Sequence, residues 1–258
     1  MDLVYKHYGE TGPDIVILHG LFGTLDNWQT IARKLGEHYR VTAFDLRNHG
    51  RSPHSNTFNV SIMASDVYEM FGPLGIGSAV IIGHSMGAKV AMYFALAYPA
   101  VTDGLISMDM APKEYKRGHD DIFDALEGVD LDSMSTRSEV EQALSSTIKE
   151  DGTIQFLMKN LSRNSEGEGF HWKMNLPVLK KNYDEITYEV KSDTPYYGPA
   201  LFLRGGKSKY VKNEDMAYIK ALYPYAHLET LEDAGHWLHA DKPIETYEAI
   251  VRFMEEID

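Results

Sequence analysis

Short apolar runs alternate along the chain with longer stretches in which apolar residues recur every three or four positions. The short runs predict buried β-strands over residues 15–18 (IVIL), 41–44, 80–82, 105–108 (LISM), 200–203 (ALFL) and 227–231 (HLETL). The longer stretches predict helices over residues 28–35, 62–71, 90–97 and 243–257, the first with Asp26 or Asn27 as its N-cap. Because strands and helices alternate, we expect an α/β fold with a mostly parallel sheet and helices on both faces.

The alternation stops between about residues 113 and 194. This segment is polar and rich in charge, and its apolar residues suit amphipathic helices at Met134, Leu144, Ile148, Leu157 and Leu161. We therefore predict an α/β core formed by residues 1–112 and 195–258, with a helical cap inserted at 113–194. Ligands of open parallel sheets bind at the carboxyl ends of the strands, where this insertion lies, so a lid is favoured over a purely structural excursion.

Composition and charge narrow the classes of function. The chain has 258 residues, of which 43% are hydrophobic and 24% charged, which suits one large α/β domain with an insertion, or two small domains. It has no cysteine, which excludes disulfides, thiolate metal sites and a cysteine nucleophile. A net charge of −13 argues against nucleic acid and anionic lipid as partners. Since the sequence shows neither a secretory signal nor an apolar run of membrane-spanning length, we expect a cytoplasmic protein.

The sequence GHSMG joins a predicted strand to a predicted helix and fits the pattern G-x-S-x-G around Ser85. A sharp turn at this junction would strain the serine backbone, and glycines at 83 and 87 would remove the clashes that side chains would cause there. The turn would aim the Ser85 hydroxyl into a cleft and place the amide of Met86 at a helix N-terminus, where it can stabilise an oxyanion. A chance turn is the alternative, and the strand–helix context favours a nucleophile.

A serine nucleophile needs a base, and His236 is the candidate among the 11 histidines. It follows the last predicted strand, in a loop that precedes the final helix, which places it at the carboxyl edge of the sheet. We expect His84, next to the serine, and His239 to be structural. The turn HGLFG after the first predicted strand supplies the amide of Leu21 as a second candidate oxyanion donor.

These segments together resemble the α/β-hydrolase superfamily. Four segments are similar to the YbfF-type esterase branch: HGLFGTLDNW, DLRNHGRS, GHSMGAKVAM and AGHWLHADKP. The resemblance implies an eight-stranded sheet, a helical cap, no metal or other cofactor, and hydrolysis of esters or acyl thioesters. It matches Ser85 to the nucleophile, His236 to the base, and Leu21 and Met86 to the oxyanion amides.

The same resemblance matches Asp45, Arg47, His49 and Gly50 to a turn that is usually structural, an interpretation favoured over substrate contact.

The triad acid departs from the superfamily's usual pattern. It commonly follows the strand predicted at 200–203, where this chain has Lys209. Asp109, at the end of the preceding strand, is a polar residue that packing hardly explains, and some members of the fold take the acid from there. We therefore predict Asp109 as the acid, with Asp215 as the runner-up.

The sequence thus predicts a serine hydrolase that acts on a small-molecule carboxylic ester or acyl thioester. Lys113, Lys116 and Arg117 are candidate docking cations for an acyl-CoA, while the histidine and aspartates of KRGHDDIFD suit a solvated face. A carbon–carbon bond hydrolase or lyase on the same fold, or a non-catalytic small-molecule-binding protein, remain alternatives. A monomer or a dimer is compatible with the sequence.

Overall fold

A computed structural model describes residues 1–165 and 168–257 of the chain, and in this part seven strands form the main sheet. The strands are β1 (Tyr5–Tyr8), β2 (Asp14–Leu18), β3 (Arg40–Phe44), β4 (Ala79–His84), β5 (Thr102–Met108), β8 (Ala200–Gly205) and β9 (Ala226–Leu231). Their spatial order is β1-β3-β2-β4-β5-β8-β9. All neighbours pair in parallel except β1 and β3, as the alternation of strands and helices predicts.

The described part of the main sheet has seven strands, so the expectation of eight is wrong. Residues 1–4, which precede the edge strand β1, do not extend the sheet. Instead the Val4 amide donates to the Ser52 hydroxyl (2.8 Å), and the Val4 carbonyl accepts from the Asp45 amide (2.8 Å). These contacts hold the segment against the carboxyl end of β3, and the outer edge of β1 has no further strand among the described residues.

Helices cover both faces of the sheet. They are α1 (Gln29–Leu35), α2 (Val60–Leu74), α3 (Met86–Ala97), α9 (Met216–Leu222), α10 (Leu238–Asp241) and α11 (Pro243–Ile257). Helices α2, α3 and α9 pack in one apolar core, and α1, α10 and α11 pack in the other. The two cores share the strands by alternation: in β4, Ile81 faces the first core while Val80 and Ile82 face the second. The whole of β4 is buried, as expected of a central parallel strand.

The start of α1 differs from the prediction. Residues Leu25–Trp28 form a 3₁₀ turn, and α1 begins at Gln29 with Trp28 as its N-cap. The Asn27 side chain instead accepts a hydrogen bond from the Thr24 amide at 2.7 Å. The expectation of Asp26 or Asn27 as the N-cap of α1 is therefore wrong, because these polar residues belong to the preceding 3₁₀ turn.

The described part of the segment between β5 and β8 contains five helices and a small hairpin. The helices are α4 (Asp120–Glu127), α5 (Arg137–Ser145), α6 (Asp151–Met158), α7 (Leu176–Lys181) and α8 (Asp184–Thr187). Strands β6 (Leu161–Arg163) and β7 (Phe170–Trp172) pair antiparallel, so Leu161 lies in a strand and not in a helix. Strands of three residues are too short to show the alternating pattern by which a strand is predicted.

Within the described ranges, the chain contains no helix that is both long and apolar enough to cross a lipid bilayer.

The register of the central strands places three segments side by side. His84 pairs with Met108 across β4 and β5, and Met108 pairs with Leu203 across β5 and β8. The residues that follow continue this alignment, since the Ser85 amide donates to Met108 (3.1 Å) and the Asp109 amide donates to Leu203 (2.8 Å). Ser85 and Asp109 therefore leave adjacent strands at the same edge of the sheet.

Candidate active site

Ser85 occupies a strained turn between β4 and α3. Its backbone has φ 53° and ψ −116°, outside the regions that L-residues ordinarily adopt. A Cβ at Gly83 would lie 2.1 Å from the Gly87 carbonyl oxygen, and a Cβ at Gly87 would lie 2.3 Å from the Leu18 carbonyl oxygen. Only glycine fits these two positions, so the GxSxG spacing follows from the tight packing of the turn. The Ser85 side chain reaches a cavity although the residue is only 8% exposed.

The amides of Leu21 and Met86 lie beside Ser85. Met86 is the first residue of α3, and Leu21 borders the same cavities as the serine. Within residues 1–165 and 168–257, neither amide donates a hydrogen bond to another group. Phe22, which follows Leu21, has a positive φ of 59°, so the backbone is also strained on this side of the cavity. Two free N–H groups next to a serine suit an oxyanion.

Two buried side chains hold the turn that carries Leu21. His19 accepts a hydrogen bond from the Leu46 amide at Nε2 (2.9 Å), and its Nδ1 donates to the Gly20 carbonyl (2.8 Å). Burial lowers the pKa of His19 to about 4, so the ring is neutral and fixed in this tautomer. From the segment between β5 and β8, the Asn160 amide donates to the Phe22 carbonyl at 2.5 Å. Nothing in the local sequence pattern had indicated a role for Asn160.

His236 contacts Asp109. Its Nδ1 lies 2.7 Å from Oδ2 of Asp109, which is wholly buried. Two further donors reach the same carboxylate: the Ser208 hydroxyl bonds to Oδ2, and the Gly205 amide bonds to Oδ1 at 3.3 Å. Asp109 has a positive φ of 51°. The carboxylate thus fixes the orientation of the imidazole and would stabilise it once protonated.

The His236 ring is also held on its other sides. Tyr210 stacks on it with the ring centroids 4.0 Å apart and the planes 17° apart. His84 donates from Nε2 to the His236 carbonyl at 2.8 Å, and burial holds the pKa of His84 well below its usual range. Ser85 and His236 border one cavity, and no hydrogen bond between them occurs in the described chain. Such bonds are often long without substrate and tighten when it binds.

Asp215, the other candidate acid, lies elsewhere. Its carboxylate is buried and pairs with the Lys113 ammonium at 2.6 Å, while also accepting from the Lys212 amide at 2.8 Å. Lys209 is exposed. In the loop where the superfamily commonly places its acid, Ser208 therefore supplies a donor to Asp109 instead. The serine hydroxyl in that loop is a sequence signal that could have indicated this contact with Asp109.

Two cavities meet at Ser85, Leu21 and His119. The first cavity lies on the His236 side and is completed by Ile122, Thr153, Phe156, Leu157 and Trp237. The second lies on the Met86 side and is completed by Met110, Tyr115, Tyr183, Ile186 and Tyr210. Residues of the segment 113–194 therefore line both cavities.

The expectation of a solvated face for KRGHDDIFD is wrong for His119. Its Nδ1 is hydrogen-bonded to the Tyr183 hydroxyl, and the residue borders both cavities. Burial lowers the pKa of His119 to about 4, with the nearby His236 acting in the same direction. A polar sequence neighbourhood concealed a histidine that tertiary packing turns inward.

The turn at Asp45 is engaged within the fold. The Asp45 carboxylate accepts from the amides of Leu25 (2.8 Å) and Arg51 (2.9 Å). Arg47 pairs with Asp66, with Nη2 lying 2.7 Å from Oδ1. These contacts favour the structural interpretation of the turn. Among the described residues, no group of His, Asp and Glu side chains has the arrangement needed to hold a metal ion.

The fold and the site define an α/β protein with a serine at a sharp strand–helix turn and a histidine–aspartate pair beside it. The family model described as alpha/beta hydrolase fold matches residues 13–243. The chain belongs to this family.

Particular relatives agree with the YbfF-type resemblance. The sn-1-specific diacylglycerol lipase ABHD11 of Xenopus laevis is 38% identical over 265 residues, covering 99% of this chain and 84% of that protein. The esterase YbfF of Escherichia coli is 37% identical over 243 residues, covering 94% of this chain and 93% of that protein. A solved structure called a marine microorganism esterase superposes with a TM-score of 0.95 at 39% identity, over 98% of this chain and 99% of the other.

Proposed function

We propose that this chain is a serine hydrolase that cleaves carboxylic esters through an acyl-enzyme intermediate. The observation that carries the proposal is the meeting of the strained Ser85 turn and the Asp109–His236 pair at one cavity. The names of the similar proteins, an esterase and a diacylglycerol lipase, agree with it. No metal or other cofactor takes part in the proposed reaction.

In the first half of the reaction, the Ser85 oxygen attacks the ester carbonyl while Nε2 of His236 takes the hydroxyl proton. The amides of Leu21 and Met86 donate to the oxyanion that forms. Asp109 stabilises the imidazolium, and its contact at Nδ1 keeps Nε2 directed at the reacting atoms. The protonated His236 then gives its proton to the leaving alkoxide, and the acyl group stays on Ser85.

In the second half, His236 takes a proton from water, and the resulting hydroxide attacks the acyl-serine carbonyl. The same two amides hold the second oxyanion. Collapse of this intermediate returns the proton to Ser85 and releases the carboxylic acid. Only one base is needed for both halves, because the leaving alcohol and the attacking water occupy the same side of the acyl group.

The transfer of a proton from His236 to the leaving alkoxide indicates which part of the ester each cavity would hold. The leaving alkoxide must lie within reach of His236, so the alcohol portion occupies the first cavity, which His236 borders. The acyl chain then extends into the second cavity, next to Met86. Both walls are largely apolar or aromatic, which suits an uncharged ester.

We propose, as the sequence predicts, that residues 113–194 form the cap and that residues 1–112 and 195–258 form the core. Residues 166, 167 and 258 lie outside the part that the structure describes. Support comes from Phe156 and Leu157 at the first cavity and from Tyr183 and Ile186 at the second. A cap in this position would exclude water from the acyl group and set the chain-length preference.

The surrounding charges favour an ester over an acyl-CoA thioester. Of the three candidate docking cations, Lys113 pairs with Asp215, and Arg117 pairs with Asp120 and Asp184. Only Lys116 keeps an exposed charge at the second cavity. A thioester substrate, a cytoplasmic location and a monomeric or dimeric state stay predictions from the sequence.

Hydrolysis of p-nitrophenyl esters by the wild-type protein and by Ser85→Ala tests the proposal. Loss of the nucleophile from a comparable triad, that of subtilisin, costs about 10⁶ in turnover, so we expect nearly all activity to disappear while the circular dichroism spectrum is unchanged. A fluorophosphonate should label Ser85 and no other serine. A pure binding protein would give neither turnover nor label, and a variant that keeps more than about a tenth of the activity would remove Ser85 from the mechanism.

A further inference from the structure

Lys89 is a wholly buried lysine in the helix that begins next to the candidate nucleophile. It lies in α3, one helical turn after Ser85, and its side chain has 0% exposure. Lysine is almost never buried without compensation, because its ammonium loses its hydration. The cost is visible here, since burial lowers the pKa of Lys89 to about 7, against the opposing effect of Glu114 and Glu189. The proposed reaction does not use this group.

The Lys89 ammonium is compensated by backbone carbonyls from both ends of the segment 113–194. Nζ donates to Lys113 at 2.7 Å, to Tyr188, and to Thr187 at a longer 3.4 Å. Three N–H donors thus meet three acceptors, which a neutral amine with two N–H groups could not do. The Tyr115 ring lies 5.1 Å from Nζ and adds a cation–π contact.

The two ends are also joined directly to each other. The Tyr115 amide donates to the Thr187 carbonyl at 2.8 Å, and the Val190 amide donates to the Pro112 carbonyl at 2.7 Å. These bonds pair the segment where it leaves the core and where it returns, without fixing the pair to α3. Lys89 supplies that attachment. Tyr115 and Thr187, two of the residues that Lys89 contacts, also border the second cavity, so the attachment adjoins the cavity wall.

We propose that Lys89 is a positioning residue, which fastens both ends of the cap to α3 and thereby sets the distance between Ser85 and the wall of the acyl cavity. This inference rests on the proposed function and on the assignment of the acyl chain to the second cavity. Ser85 directly precedes α3, and Lys89 lies in the first turn of that helix, so one rigid helix connects the nucleophile to the point where the cap is attached. Esters whose acyl chain reaches that wall depend on the attachment, and esters too short to reach it do not.

The test compares a long and a short acyl ester in Lys89→Met, which keeps the length and apolar stem of the side chain but removes the ammonium. We expect the ratio of kcat/KM for p-nitrophenyl octanoate to that for p-nitrophenyl acetate to fall by about tenfold or more, mainly through KM for the octanoate. The assay is run at pH 6.5, where the ammonium form of Lys89 is more populated than at higher pH. Lys34→Met is the matched control, because Lys34 is exposed and lies over the Tyr247 ring away from both cavities. It should keep the wild-type ratio.

Fluorophosphonate labelling of Ser85 in Lys89→Met separates this inference from the proposed function. Labelling with a changed ester ratio supports the inference, whereas a wild-type protein that neither labels nor turns over would refute the function itself. An unchanged ratio in the folded variant, or an equal loss for both esters, overturns the positioning role. If Lys89→Met does not fold, Lys89→Gln, which keeps two N–H donors, is measured in the same way. Failure of both variants to fold would assign Lys89 to general stability and would also overturn it.

Discussion

Replacement of Asp109 by asparagine should disable the base while leaving the fold intact. The Asp109 carboxylate accepts three hydrogen bonds, from His236 and Ser208 at Oδ2 and from the Gly205 amide at Oδ1. The Gly205 donor is a backbone N–H and cannot reverse its role. The asparagine oxygen must therefore take the Oδ1 position, and its NH₂ group then faces Nδ1 of His236.

The consequence is a change of tautomer. With an N–H group opposite, Nδ1 of His236 must become an acceptor, and the ring proton moves to Nε2, which can then no longer take the proton of Ser85. The same change in a chymotrypsin-type triad lowers turnover by about 10⁴. Because Asp109 is wholly buried, partial rescue of the correct tautomer depends on water that reaches the partly exposed His236. We therefore expect turnover to fall by a factor of about 10² to 10⁴.

The assay is steady-state hydrolysis of p-nitrophenyl acetate at pH 7.5, with thermal unfolding to establish that the variant is folded. Asp215→Asn is the matched control, since that carboxylate pairs with Lys113 and makes no contact with His236. It should lose less than about tenfold in activity. The reasoning is refuted if Asp109→Asn stays within tenfold of wild type, or if the control loses more activity than Asp109→Asn.

Three further predictions follow from the contacts around the site. Asn160→Leu removes the donor to the Phe22 carbonyl, so kcat for a short ester should fall about tenfold with little change in KM; a rise in KM alone would contradict a role in the oxyanion turn. Ser208→Ala removes one donor to Asp109 and should lower kcat/KM by about tenfold in a folded protein, and unchanged kinetics would show that this hydroxyl is dispensable. Burial lowers the pKa of His19 to about 4 and that of His49 to about 3, from about 6.5 in the unfolded chain. At pH values between the folded and unfolded pKa, the unfolded chain therefore binds protons at these rings that the folded chain does not bind. Stability should therefore fall as pH drops, by about 2 kcal/mol for each ring at pH 5, and equal urea-unfolding free energies at pH 7.5 and 5 would contradict this.

The sequence by itself determined the features that depend on near neighbours. Buried strands such as β4 and β5 were predictable because a central parallel strand is apolar on both faces, and that pattern is local. The turn at Ser85 was predictable from its local GxSxG pattern, and the clash that demands glycine at 83 arises within the turn itself, from the Gly87 carbonyl. The clash at 87 comes instead from the Leu18 carbonyl of β2, which only the folded sheet brings there. The helix α11 was predicted with its observed bounds, since its apolar stripe and its proline start are both local signals.

The role of Asp109 was only partly determined by the local sequence. Its place at the end of an apolar strand was visible in the sequence, and this favoured it over Asp215. Its contact with His236, 127 residues further along the chain, depends on the register that aligns β4, β5 and β8 and on the loop after β9. No local pattern carries that register, because backbone ladders are set by the packing of the whole sheet.

Only the tertiary structure decided which polar residues turn inward. His119, Asn160 and Lys89 lie in segments whose local patterns suggested solvent or ordinary helix, yet each is turned toward the candidate site or toward the ends of the segment 113–194. Their partners lie far away in sequence: 138 residues separate Asn160 from Phe22, and 99 separate Lys89 from Tyr188. A buried polar group is stable only when a partner meets it, and these partners are mostly backbone carbonyls, whose chemistry is the same at every position. The sequence can therefore show that such a residue is polar, but only the folded chain brings it to the carbonyl that makes its burial possible.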